Sequence, residues 1–223
     1  MDKLELFNSI AKNYDKINNA ISLFTHQSVR KKAINKLSDS HVKILDLCCG
    51  TGDIINLIRK KYPNSEITGI DFSENMLDIA KSKFKDINFI KQDISKDKLP
   101  FSDNSFDLCT ISFGLRNVEN MTSVLKEIYR VLEPNGTFFN LDLGKPNKFW
   151  NIFLKPFMYI YVPFAGKIAN GNNLPLKYFV HSNEKFPHPD DLKKIYEKIG
   201  FKQITRKDFL FGQLSCQICK KYN

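Results

Sequence analysis

Gly50 and Gly52 lie two residues apart, with Asp46 ahead of them and Asp53 directly behind. Glycines at that spacing let a backbone turn come close to a ligand, and a helix starting there offers it free N–H groups. About 20 residues on stands Asp71, placed as a carboxylate that accepts from both hydroxyls of an adenosine ribose. A dinucleotide site calls for a third glycine. Ile55 holds that position and Cys48 stands where a glycine often opens the loop, so a pyrophosphate ligand is disfavoured. Asp46 would repel a phosphate and suits a ligand carrying an ammonium group and a sulfonium. Together these residues point to S-adenosylmethionine.

Further along, Asp93 can accept from an adenine amino group while Ile94 packs on the ring; alone, such an aspartate is more often a loop cap. Ser112 then leads into Phe113-Gly114-Leu115-Arg116-Asn117. The Arg116 guanidinium is a poor base, but it can stabilise negative charge that develops on a ligand. Its competing role is to tie the loop to an acidic neighbour. His26 and His181 have the right type for a proton acceptor, and a plain surface role competes for both. Cys216 and Cys219 have the spacing of half a metal or redox site, but they fall in an alternating segment with no second pair, so no metal is expected.

These groups must be carried by strands that end where they stand. Residues 43–47 read as a buried strand, and a helix from Asp53 carries Ile54, Ile55, Leu57 and Ile58 before ending near Pro63. A strand over 67–70 closes on Asp71, and Ser73 caps a helix with Met76, Leu77, Ile79 and Ala80 on its apolar face. Strands follow at 87–90 and 106–112, then a helix over 122–132, a turn at 133–136 and a strand at 137–143. Such alternation implies right-handed crossovers and a mostly parallel sheet with helices on both faces. A helix at 190–199 and an antiparallel hairpin of 201–208 and 214–220 complete an α/β fold of seven strands. The candidate residues fall at the carboxyl edge, where doubly wound sheets hold ligands.

One domain spans residues 1–223, with a helical cap over 1–41 and a long aromatic segment over 145–187 expected to cover the substrate. Within that segment Phe153 and Phe157 could line a route for an apolar tail, against ordinary packing of an extra helix. A hydrophobic share of 42% with 26% charged residues excludes a largely disordered chain. The net charge of +10 comes from scattered lysines such as Lys31-Lys32 and Lys193-Lys194, which read as solvated faces rather than a nucleic-acid surface. Five cysteines, an odd number, with no secretory signal suggest reduced thiols and a cytoplasmic location. The longest apolar stretch, 157–165, is interrupted by Pro163 and is about half the ~20 residues that span a bilayer. Membrane contact, if made, would be peripheral, through basic residues at an anionic surface.

In order along the chain, Phe7-Asn8-Ser9-Ile10-Ala11 with Tyr14-Asp15, Cys49-Gly50-Thr51-Gly52-Asp53, Asp71-Phe72-Ser73-Glu74-Asn75-Met76-Leu77 and Phe113-Gly114-Leu115-Arg116-Asn117-Val118 resemble the ubiquinone/menaquinone biosynthesis C-methyltransferase family. Tyr178, Ser182, Phe186-Pro187 and Gly200-Phe201 also match, so the likeness runs from Phe7 to about Lys220. It implies a Rossmann-like class I methyltransferase fold. It also implies S-adenosylmethionine contacts from Thr51, Asp71 with adjoining Phe72, Asp93, Ile94 and Ser112, and a pocket closed by Tyr14. Phe113, Asn117 and Tyr178 would meet the acceptor beside Arg116. The implied reaction methylates a ring carbon of a demethylated quinol, where a phenolate makes the neighbouring carbon nucleophilic and alignment does most of the rest.

Phe24 and Val29 replace a glycine and a tryptophan of the family pattern, and no histidine stands near Gln217. These departures fall on the acceptor side and keep a small phenolic or other metabolite open as an alternative. RNA or DNA is disfavoured, because the chain has neither a Pro-Pro-Tyr loop nor a Pro-Cys nucleophile. A homodimer is compatible with the sequence.

Overall fold

The computed structural model describes residues 3–37, 40–171, 178 and 182–222. His181 lies outside the described residues. Strands β1 (Lys43–Leu47), β2 (Glu66–Asp71), β3 (Asn88–Lys91), β4 (Phe106–Ser112), β5 (Leu132–Leu143), β6 (Phe201–Phe209) and β7 (Leu214–Lys221) form one sheet in the order β3-β2-β1-β4-β5-β7-β6. The first five run parallel, and β7 is antiparallel to both β5 and β6. This is the architecture predicted from the alternation of apolar runs and turns.

Leu45, Leu47, Cys109, Ile111, Phe138 and Cys219 face one side of the sheet, against α6 (Met121–Val131) and α9 (Pro189–Ile199). Ile44, Leu108, Phe139, Leu141 and Cys216 face the other, against α3 (His26–Ile34), α4 (Asp53–Lys61) and Leu77 of α5 (Glu74–Lys83). Strand side chains alternate between faces, so Cys216 and Cys219, three apart, cannot meet. Burial pushes both thiols up to about 12.

The expected turn at 133–136 lies inside β5. Leu132 pairs with Phe106 and the next partners are Thr137 and Leu108, so four residues leave the ladder as a bulge. Asn135 there is left-handed at φ 63°, and a Cβ on Gly136 would meet the Glu133 carbonyl oxygen at 2.8 Å.

The N-terminal cap is α1 (Lys3–Ile10), a short 3-10 turn (Ala11–Asn13) and α2 (Tyr14–Ile21), which set Ile10, Ala11 and Ile17 against Met76 of α5. After β5, Asn147 caps α7 (Lys148–Pro156), accepting from Trp150 N at 3.0 Å. A wide π turn (Phe157–Tyr161) follows at Pro156, which cannot donate to the helix ladder, and α8 (Val162–Asn170) ends on left-handed Gly171. The Tyr161 hydroxyl donates to Ala20 O at 3.0 Å, fastening this long helical run to α2.

Candidate active site

Past the end of β1 the chain turns sharply. Cys48, Gly50 and Gly52 take φ of 54°, 54° and 89°. A Cβ on Gly52 would lie 2.6 Å from the Phe84 ring, so only glycine fits both the conformation and the space. Cys48 adopts the left-handed state without being glycine, a strained choice of the kind that collects at functional turns. A Cβ on Gly114 would lie 2.6 Å from Cβ of Cys48, so this turn and the Phe113–Asn117 loop are in direct contact.

Asp71, 6% exposed, accepts from Gly50 N through Oδ2 and from Ser73 N through Oδ1, both at 2.9 Å. It opens onto a cleft of about 370 Å³ whose walls include Phe72, Asp93, Ile94, Gly114 and Asn117. That volume is in the range of small-molecule sites. Asp93 Oδ1 accepts from Ser95 N at 2.9 Å, so this aspartate is both the loop cap and part of the wall. Asp46 takes the Thr110 hydroxyl on Oδ1 at 2.6 Å, and its Oδ2 is buried without a partner, as is the Ser112 hydroxyl. The two orphaned oxygens stand at the carboxyl ends of adjacent strands. The residues therefore fit S-adenosylmethionine, whose ammonium and hydroxyl groups would supply the missing partners.

Burial, with the nearby charge of Asp71, lifts Asp46 to about 7 despite the Thr110 hydrogen bond. Burial lifts Asp71 to about 6 despite the N–H groups of Ser73 and Gly50. A carboxyl with a raised folded pKa binds more protons folded than unfolded. These two therefore lower ligand-free stability as pH climbs from about 4 to about 7. A cationic ligand needs them ionised, so donor affinity should rise with pH through this same window. Below each pKa it should fall by about tenfold per pH unit for each carboxyl that must lose its proton. Calorimetry near pH 6.5, in buffers of different ionisation enthalpy, is expected to register proton release on binding. Affinity independent of pH with no release would remove both aspartates from direct contact.

A second cavity, of about 180 Å³, adjoins the Phe113–Asn117 loop on the other side, with walls from α1, α2, the π turn and residues 210–214. It is mostly apolar: Phe7, Ile17, Phe113, Phe157, Met158 and Val162 are among its lining. Rings connect it to the cleft. Phe72 sits edge-on to Phe7 at 5.5 Å, Phe7 to Tyr178 at 6.3 Å, and the Tyr178 hydroxyl donates to Asn117 Oδ1 at 3.2 Å.

Arg116 lines this cavity and is also tied to an acid. Its Nη1 donates to Asp142 Oδ1 at 2.6 Å and to Phe113 O at 2.9 Å, with the two charged side chains 8% and 1% exposed. His26 Nδ1 accepts from Arg30 Nη1, so its Nε2 carries the proton it shares with Asn19 Oδ1 at 2.9 Å. Burial and then the Arg30 charge push the imidazole pKa down. Both nitrogens are engaged, which disqualifies His26 as a ready base.

Several sequence expectations are redrawn by the geometry. Tyr14, expected at the donor, lines the apolar cavity instead, its hydroxyl buried and its pKa raised by that burial. Asn117, expected at the acceptor, lines the cleft beside Asp71. Thr51, like Asp46, Gly50, Gly52 and Ser112, is not among the residues that line either space; its hydroxyl donates to Asp15 Oδ1 at 3.4 Å. Phe153 is 61% exposed and turned away from the cavity that Phe157 lines. Phe24 is exposed and Val29 is core, so neither departure reshapes the cavity wall. Gln217 is buried on β7, donating to Pro189 O at 2.8 Å.

Arg30 was missed. It lies one turn after His26 on the face of α3 that also carries Ala33, and that i, i+4 spacing was the available signal.

The model of the ubiE/COQ5 methyltransferase family matches residues 3–221. A demethylmenaquinone methyltransferase from Leptospira interrogans is 37% identical over 228 residues, covering 97% of this chain and 91% of that protein. One from Lactobacillus johnsonii is 39% identical over 233 residues, covering 99% and 93%. Among solved structures, a SAM-dependent methyltransferase from Aquifex aeolicus is similar in fold, with TM-score 0.65 and 16% identity over 93% of this chain and 97% of that one.

Proposed function

The chain belongs to the ubiE/COQ5 methyltransferase family, and from that premise we propose that it methylates a ring carbon of a reduced, demethylated quinol with an apolar tail. The observation that carries this reading is the pairing of a donor cleft with an apolar cavity across one shared loop, with guanidinium groups as the cavity's charges. S-adenosylmethionine is the methyl donor and supplies an electrophilic methyl on a sulfonium. Asp71 holds its ribose, Asp46 and Ser112 its polar end, and Asp93 with Ile94 its adenine.

The chain's own part is positioning and charge. Phe113, at φ 56°, is held in a strained state that sets its ring between the two arginines, 5.6 Å from Arg116 Cζ and 4.9 Å from Arg30 Cζ. Arg116, fixed by Asp142, donates toward the acceptor's oxygen and stabilises the phenolate there, which raises electron density at the adjoining carbon. The apolar walls keep water from competing for the methyl group.

The outer side of residues 148–170 supports delivery from a lipid surface. Phe149, Ile152, Phe153, Ile160, Phe164 and Ile168 are all exposed there. Between Asp142 and Glu184 the chain has lysines at 145, 148, 155, 167 and 177 and no acidic residue. Apolar stripes flanked by lysines suit an anionic interface. No helix of the described residues is long and apolar enough to cross a membrane, and the contact we propose is peripheral.

The test is methyl transfer from labelled donor to a panel: a demethylquinol in anionic or in zwitterionic vesicles, small water-soluble phenols, and RNA. Label is expected in the quinol, severalfold faster on anionic vesicles. Preferential labelling of a small phenol would replace the quinol as acceptor, and equal rates on both vesicle types would remove the lipid contact.

A further inference from the structure

Arg30 is 5% exposed on the wall of the acceptor cavity. A buried guanidinium brings five N–H donors and a full charge, and both are costly to leave unmatched. Its partners match only part of them. Nη1 donates to His26, a ring kept neutral; Asp53 Oδ2 lies 3.6 Å from Nη2, an ion pair with no hydrogen bond at that oxygen. The Phe113 ring faces the cation at 4.9 Å, and Nε is buried with no partner at all. Gln213 lines the same cavity, and its amide nitrogen is likewise buried and unpartnered. Arg30 Nε and the Gln213 amide nitrogen are thus two buried donors lining one cavity, and a ligand oxygen there would satisfy them.

Building on the quinol reading above, we propose that Arg30 donates to an oxygen of the bound acceptor. It would hold the ring together with Arg116 and select for molecules that carry free or ionised ring hydroxyls. Its placement suits this role. Asp53 opens α4 immediately after Gly52, so the Arg30–Asp53 pair references the acceptor to the turn that carries the methyl donor. His26, backed by Asn19, fixes the guanidinium from the other side.

A purely structural Arg30, clamping α3 to α4, predicts loss of stability without any change in ligand preference. The probes that separate the roles are a short-tailed demethylnaphthoquinol, kept reduced, and its dimethyl ether. Wild type should bind the diol at least about tenfold more tightly than the diether. Arg30→Gln should lose about ten- to a hundredfold in diol affinity and little for the diether, with donor affinity within a few-fold. Arg30→Lys, keeping charge without the planar fork, should retain part of the preference. If Arg30→Gln fails to fold, Arg30→Lys carries the test, because a folded lysine variant with an undiminished preference overturns the proposal. A folded glutamine variant that keeps the preference does so too, leaving the quinol reading intact. A wild type that binds neither probe overturns both.

Discussion

Arg116→Ala should cut turnover by about a hundredfold or more while donor affinity stays within a few-fold. That is the usual effect of removing one preorganised group that stabilises developing negative charge. It should also destabilise the protein by about 3–5 kcal/mol, because Asp142, 1% exposed, would be left as an uncompensated buried charge. The two effects can be pulled apart. Asp142 Oδ1 also accepts from Leu143 N at 2.8 Å, so Asp142→Asn keeps a polar partner there while dropping the charge. The double variant Arg116→Ala/Asp142→Asn should regain much of the stability and none of the turnover. Single-turnover rates alongside thermal unfolding read both. Arg116→Lys should rescue only in part, since it cannot hold Asp142 and the acceptor with one planar fork. A near wild-type rate in Arg116→Ala would reduce Arg116 to a loop tie.

Asp71→Ala should weaken donor binding by one to two orders of magnitude, since hydrogen bonds to a charged acceptor are worth roughly 1.5–3 kcal/mol. Part of that loss is indirect. The carboxylate also holds Gly50 N and Ser73 N, so the alanine variant frees the turn as well as the ribose. Asp71→Asn, which keeps one oxygen, should fall between. Because burial already raises the Asp71 pKa to about 6, ionisation in place is penalised, and its removal should cost less fold stability than loss of a well-paired carboxylate. Calorimetry on the folded variants decides, and unchanged affinity would take Asp71 out of the site.

Of the residues expected at the donor, Asp71, Phe72, Asp93 and Ile94 do line one cleft, and they were legible because they sit at or just past strand ends, which are marked locally. Asp71 follows a short apolar run, and Gly50 and Gly52 precede a helix with an apolar face. The acceptor half was not, because its contacts are non-local. Nothing near Arg116 signals Asp142, 26 residues away, until β4 and β5 pair and bring them together. Phe153 and Phe157 could not be told apart because Pro156 and the π turn that starts at Phe157 change which face the chain presents, and a regular helical periodicity does not anticipate that change. Arg30 was passed over because basic residues in a helix usually mark its solvated side, whereas here the side chain is buried. Residues 133–136 were read as a turn between helix and strand, whereas the structure holds them as a bulge. That it lies within β5 depends on where Leu132 finds its partner on β4.

The most direct test is to incubate the protein with donor carrying a ¹³C-labelled methyl group and a reduced demethylquinol, then locate the label by NMR. Methyl transfer to a ring carbon predicts a single aryl-methyl resonance in the product. A methoxy resonance, or an unlabelled quinol from an enzyme that labels a different acceptor in the same mixture, would contradict it.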